Sequence, residues 1–214
     1  MKKHIFPITI IGGTIMIWIF SFPHLTAEIP VHWGLKGEID RYESKQAAMF
    51  SLIGIMVLTY CATTFLPEID PKKENDKLFK RGYTFLVNYF LLLFFVMNCF
   101  AIIGGYGYNI PSGSLGIILI GAIFIVLGNF FQLIRSNFFF GIRTPWTLSS
   151  EVVWIKTHRF AAKLLIVFGF IIILSSILPI SWTDFLVLGI ICVSVLSTVS
   201  YSYFVFKKEV QSIK

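Results

Sequence analysis

Long unbroken apolar runs, separated by short polar stretches, dominate the chain. Six of them approach the ~20 residues that a helix needs to cross a ~30 Å hydrocarbon core. They lie at residues 5–22, 47–66, 83–103, 115–134, 160–178 and 185–206. Barrel strands would instead appear as short segments of alternating polarity. The pattern predicts an all-α integral membrane protein with six transmembrane helices.

The connections differ in character. Residues 104–114 and 180–184 read as turn-rich links, and residues 67–81 as a solvated connector of mixed charge. The first connection, residues 23–45, is longer, and Pro23, Pro30, Gly34 and Gly37 forbid one continuous helix through it. The fourth contains "GIRTPWTLSSEVVWIKTHR" at 141–159. Its Pro145 pushes Thr144 out of helical geometry, so a turn is expected at "RTPW". Thr147 or Ser149 is expected to cap a following helix, with Glu151 favoured in its first turn. Val152, Ile155, Arg159 and Ala162 then form one strip, and Trp154, His158 and Ala161 its neighbour. This predicts an amphipathic helix on the inner surface that runs into the fifth span.

Composition agrees with a membrane class: 14% of residues are charged, against ~25% in ordinary soluble domains. The net charge of +7 is informative through its placement. Fifteen of the eighteen lysines and arginines fall at the termini and the second and fourth connections; Lys36, Arg41 and Lys45 lie opposite. Both termini are therefore expected in the cytoplasm. Leu25 spoils a signal-peptidase pattern, so the first span is read as uncleaved. Cys61, Cys99 and Cys192 sit in separate apolar runs and read as packing residues.

Candidate chemistry is sparse. The spans carry no central charges, and neither a nucleotide-binding loop nor a hydrolase motif is present. Polar span residues are Asn88, Asn98 and Asn129, with Asn137 just beyond the fourth span and serines in the sixth. Helix–helix hydrogen bonding explains them better than a transport path. Gly121 and Gly128 share one helix face and would admit a close neighbour. His24, Glu28 and His32 are too few and too poorly spaced for a metal set, so no metal and no cofactor is expected. Ser149 or Ser150 with His158 and Glu151 makes a poor triad, and no enzymatic activity is expected. Arg143 in a rigid turn suggests a specific acceptor, which leaves an internal latch and a docking site equally open.

Two segments carry a family resemblance. Gly128-Asn129, followed by "NFFFGIRTPWTLSSEVVWIKTHRFAAK" at 137–163, resembles the signature of the SdpI-type membrane immunity proteins. "IPVHWGLKGEIDRYESK" at 29–45 resembles a domain of unknown function that accompanies it. Ala161-Ala162 stand where more glycine would be expected. The resemblance implies two domains, residues 1–66 and 67–214. It implies a multi-pass cell-membrane protein of a Gram-positive bacterium that protects the producing cell from a secreted, membrane-active peptide toxin. It further implies a cytoplasmic transcriptional repressor as a partner held at the membrane, without direct contact to nucleic acid. The expected outer contacts are His32, Trp33, Gly37, Asp40, Tyr42 and Lys45. The expected inner latch or docking residues are Arg143, Thr144, Pro145, Trp146, Thr147, Glu151, Trp154, His158 and Arg159. The alternative function is a small transporter or channel that exports or dissipates a peptide or solute.

Overall fold

The computed structural model describes residues 2–34, 38–71, 73–108, 112–177 and 182–213, with backbone alone at 2–3, 73–81, 112–114 and 212–213. In chain order the elements are α1 (Lys2–Ser21), β1 (Glu28–Trp33), β2 (Ile39–Ser44), α2 (Lys45–Phe65), α3 (Lys73–Gly105), α4 (Ser112–Phe131), α5 (Pro145–Ser149), α6 (Glu151–Ser175) and α7 (Thr183–Ile213). Among the described residues five helices are long and apolar enough to cross a membrane, and the apolar stretch of α4 is a shorter sixth. The chain is thus a helical membrane protein. It divides into two compact units, Met1–Leu66 with Thr84–Gly116, and Pro67–Tyr83 with Ile117–Lys214.

The first unit contains an element the apolar pattern did not announce. Part of the first connection folds as an antiparallel hairpin of β1 and β2. β1 buries Ile29 and Val31 against Trp18 of α1, Ala48 of α2, and Ala101 and Ile102 of α3. β2 leaves most of its residues exposed. The glycine pair ending α3 makes this docking possible. A Cβ on Gly105 would come within 2.5 Å of the Ile29 side chain, and one on Gly104 would collide with the Pro30 ring. The Gly105 carbonyl also accepts the Thr26 N–H at 2.9 Å. Deeper in this unit, the Trp18 indole N–H donates to Asn98 Oδ1 at 2.7 Å, and both side chains are buried. The Asn98 amide nitrogen returns to the Phe94 carbonyl at 2.8 Å, so the pair satisfies itself within apolar surroundings.

The second unit is built on α4, α6 and α7. Gly121 and Gly128 do meet a close neighbour. A Cβ on Gly121 would lie 2.7 Å from the Gly169 carbonyl oxygen, and one on Gly128 would lie 2.8 Å from that of Ala162. Small residues on both helices bring the α4 and α6 backbones together, as in membrane helix pairs lacking a hydrophobic drive to associate. Across the other contact, Phe160 of α6 stacks on Tyr201 of α7 at 4.2 Å and 15°.

The fourth connection corrects two expectations. α6 does start at Glu151 and run unbroken into the span, as expected. Its buried side is Val153, Trp154, Thr157, His158, Ala161 and Ala162, whereas Val152 and Arg159 are exposed. The strip of Trp154, His158 and Ala161 therefore lies wholly on the buried side, whereas the strip of Val152, Ile155, Arg159 and Ala162 crosses the boundary. The caps are Thr144 for α5 and Ser150 for α6, in place of Thr147 and Ser149. A short helix fits between Pro145 and Ser149, which moves each cap to the residue before its helix.

Candidate functional site

The elbow from Ile134 to His158 is a hydrogen-bonded knot with few spare valences. It begins at Asn137, which is fully buried. Its Oδ1 accepts the Phe139 and Phe140 N–H groups at 2.9 and 2.6 Å. Its amide nitrogen donates to the Arg135 and Phe140 carbonyls at 2.9 and 3.0 Å. One side chain thus folds a tight loop whose backbone groups would otherwise lack partners. The Phe138 N–H points elsewhere and donates to buried Asp70 at 2.7 Å.

The next turn needs Gly141, whose φ is +107°, a conformation that side chains disfavour. A Cβ there would lie 2.5 Å from His158 Nε2 and 3.1 Å from the Trp154 ring. Dispensing with that carbon lets the chain lie against the imidazole. His158 Nε2 accepts the Ile142 N–H at 2.9 Å, and Nδ1–H donates to the Trp154 carbonyl at 2.8 Å. Since one nitrogen accepts and the other donates, the ring is the neutral Nδ1–H tautomer. The imidazole stacks on Trp154 at 4.2 Å, and the Trp154 indole N–H donates to the Ile134 carbonyl at 3.2 Å. Trp154 is 0% exposed and His158 1%. Trp154 is therefore a core residue and not an interfacial anchor.

Thr144 and Thr147 close α5 with a reciprocal capping box. The Thr147 hydroxyl accepts the Thr144 N–H at 2.9 Å and reaches the Ile142 carbonyl at 2.8 Å. Pro145 occupies the first helical position, where its missing N–H costs nothing. Two contacts then tie the elbow to α7. The Trp146 indole N–H donates to Ser202 Oγ, and its ring meets Tyr203 edge-on at 5.5 Å. Ser150 caps α6 by accepting the Val153 N–H at 3.3 Å, and its hydroxyl lies 2.7 Å from Glu209 Oε2.

The candidate inner residues thus divide. Thr144, Thr147, Trp146, Trp154 and His158 are committed to the knot. Arg143, Pro145, Glu151 and Arg159 are exposed. Arg143 lies over the Phe138 ring at 4.7 Å. Glu209, Asp70 and Gly141 are not singled out by the sequence; Ser150 enters there only as a nucleophile, and Ser202 only among the sixth-span serines. Ser150 had a local signal, a capping residue just before an acidic first turn. Glu209 and Asp70 had none, because their partners lie 59 and 68 residues away.

The candidate outer residues lie on and beside the hairpin. His32 and Asp40 face each other at 2.6 Å, both well exposed. Trp33 is half-buried and meets Phe100 edge-on at 6.5 Å. Tyr42 is 52% exposed. Lys45 is occupied locally, its ammonium 4.8 Å from the centre of the Phe22 ring. Gly37 lies outside the described residues. Of the polar span residues, Asn98 is held by Trp18. The amide nitrogen of Asn129 donates to its own helix at Ile125, 2.9 Å away. Asn88 Oδ1 is buried with no partner.

Residues 134–202, which contain the whole elbow, match the SdpI/YfhL protein family. Residues 9–57, which contain the hairpin, match a domain of unknown function, DUF1648. The chain is 29% identical over 209 residues to "Immunity protein SdpI" of Bacillus subtilis (strain 168), covering 97% of this chain and 98% of that protein. No solved structure matches. With its elbow inside the matched segment and its relationship running nearly end to end, the chain is similar to the SdpI/YfhL protein family and to an immunity protein of that type.

Proposed function

We propose that the chain is a non-enzymatic immunity protein that protects the bacterium producing a secreted, membrane-active peptide toxin. The observation that carries this reading is the relationship to an immunity protein along 97% of the chain. In this reading the protein spans the cell membrane six times with both termini in the cytoplasm, as the placement of lysine and arginine supports. The part at 1–66 presents the hairpin outside, where His32, Trp33, Asp40 and Tyr42 meet the peptide. The part at 67–214 holds the elbow at the cytoplasmic face. There the exposed guanidinium groups of Arg143 and Arg159 dock a cytoplasmic transcriptional repressor, and the knot beneath them keeps the surface rigid. The transporter alternative draws no support from its proposed path: Asn98 is spent on Trp18, and Ser202 accepts from Trp146.

Expression in a toxin-sensitive host tests the reading. Survival against the cognate or a related peptide should rise with the amount of protein in the membrane. Unchanged killing curves at verified membrane expression would overturn it. Arg143→Ala should leave insertion intact while abolishing protection or repressor recruitment; full activity of that variant would remove Arg143 from the docking surface.

A further inference from the structure

The two edges of the hairpin are not equivalent. The Lys45 N–H donates to the Ala27 carbonyl at 3.0 Å. The register continues as Glu28 opposite Ser44, Ile29 opposite Glu43 and Pro30 opposite Tyr42. Bonded and non-bonded pairs alternate along an antiparallel ladder. Ile29 and Glu43 therefore exchange backbone hydrogen bonds, whereas the backbone groups of Glu28, Pro30, Tyr42 and Ser44 point away from the partner strand. On the outer edge of β1, the Glu28 carbonyl is taken by the Thr26 hydroxyl at 2.7 Å, and Pro30 has no N–H to offer. That edge is blunted. On the outer edge of β2, Tyr42 turns both its N–H and its C=O outward. Among the described residues the sheet has no third strand, and no backbone group from another element reaches Tyr42.

Open strand edges are templates for pairing, and proteins usually blunt them with proline, charge or cover. Here proline and a covering hydroxyl are applied to one edge only, and the other carries charge instead. The field around the other is also distinctive. Residues 28–44 carry Glu28, Glu38, Asp40 and Glu43 against Lys36 and Arg41, in a chain whose net charge is +7. Glu38 is exposed, Asp40 is exposed beside His32 at 2.6 Å, and half-buried Glu43 lies 3.4 Å from Arg41. An acidic, exposed, singly open edge fits an extended segment that supplies backbone hydrogen bonds and positive charge.

We infer that the outer edge of β2 is a strand-addition site for an extended cationic peptide, which exchanges two backbone hydrogen bonds with Tyr42 while Glu38, Asp40 and Glu43 attract its side chains. As an account of how the toxin is met, this rests on the immunity reading; as a binding site it stands on the hairpin alone. A neutral or acidic peptide would lack the charge complement. A second copy of the chain would bring a like-signed hairpin to the same edge.

The test uses the full-length protein in nanodiscs of zwitterionic lipid. The probe is a fluorescent six-residue peptide alternating lysine and threonine. Two controls accompany it: the same peptide N-methylated along one edge, and a glutamate–threonine counterpart. The lysine peptide should bind the wild type and Tyr42→Phe equally. Binding should weaken roughly two- to tenfold with Tyr42→Pro or with N-methylation, as loss of one backbone hydrogen bond in each case predicts. It should also weaken with Asp40→Asn and as salt rises. Proline should be tolerated at position 42, since Pro30 already occupies the facing position. If Tyr42→Pro nevertheless lowers the thermal midpoint, the N-methylated peptide on wild-type protein decides. Equal binding of the N-methylated peptide, preference for the glutamate peptide, or Tyr42→Cys dimers without peptide binding would each overturn the inference. Protection by wild type and Tyr42→Pro alike would remove the edge from toxin recognition and leave the immunity reading standing. A wild type that binds the lysine peptide yet fails to protect would do the reverse.

Discussion

Gly141→Ala isolates the contribution of the imidazole seat, because the fold supplies its own control. Gly107 also has positive φ, +84°, but a Cβ there would meet nothing within 4 Å. At both positions alanine carries a conformational cost of ~1–3 kcal/mol. At Gly141 the added carbon would also lie 2.5 Å from His158 Nε2. The ring must then withdraw, and the Ile142 N–H loses its acceptor. A buried donor left without a partner costs ~1–3 kcal/mol. Gly141→Ala should therefore be less stable than Gly107→Ala by about that increment, roughly a 5- to 150-fold difference in the folded-to-unfolded ratio at ~1.4 kcal/mol per tenfold. The assay is denaturant unfolding of the two purified variants in micelles, followed by tryptophan emission, which reports on Trp154 against the imidazole. Equal losses in the two variants would refute the reasoning, because the seat would then contribute nothing beyond backbone conformation.

Other contacts predict distinct outcomes. Ser150→Ala removes the α6 cap and should cost ~1 kcal/mol; in a double-mutant cycle with Glu209→Gln the two changes should be clearly non-additive, whereas additive losses would show that the hydroxyl and carboxylate are uncoupled. Trp18→Phe strands Asn98 Oδ1 in apolar surroundings and should cost ~1–3 kcal/mol, while the double variant Trp18→Phe/Asn98→Leu should recover much of it, as measured by micelle unfolding. Asp70→Asn should cost ~1–2 kcal/mol by weakening a charge-assisted bond to the Phe138 N–H, and hydrogen exchange in the loop at 135–140 should quicken. Arg159→Ala, on an exposed face, should change stability by no more than ~0.5 kcal/mol, so any loss of repressor recruitment would reflect docking and not folding.

The helices were legible because lipid imposes one requirement on every residue of a span, and that requirement repeats along the sequence. The close pairing through Gly121 and Gly128 was legible for a related reason, since small residues two turns apart mark a face without reference to its partner. The hairpin was not. β1 carries a proline, β2 is mostly charged or exposed, and neither alternates cleanly in polarity, because their placement is fixed by Ile29 and Val31 docking on the flanking helices and on Ala101 and Ile102 of the distant α3. The elbow was half legible. Pro145 and Thr144 announced a structured turn through local chemistry. Trp154 was ambiguous, because an indole at a span boundary looks the same whether it faces lipid or a neighbouring backbone. Only the Ile134 carbonyl and the His158 ring, brought in by the fold, distinguish the two.

The paired glycine contacts between α4 and α6 also bear on mechanics. Gly128 lies against Ala162 and Gly121 against Gly169, two points seven residues apart on each helix, or ~10 Å along the axis. A rod clamped at two points cannot swivel about either one. Sliding or rotating it would drive side chains into backbone at both clamps together. The two contacts thus favour α4 and α6 shifting together, and oppose any slide of one helix along the other.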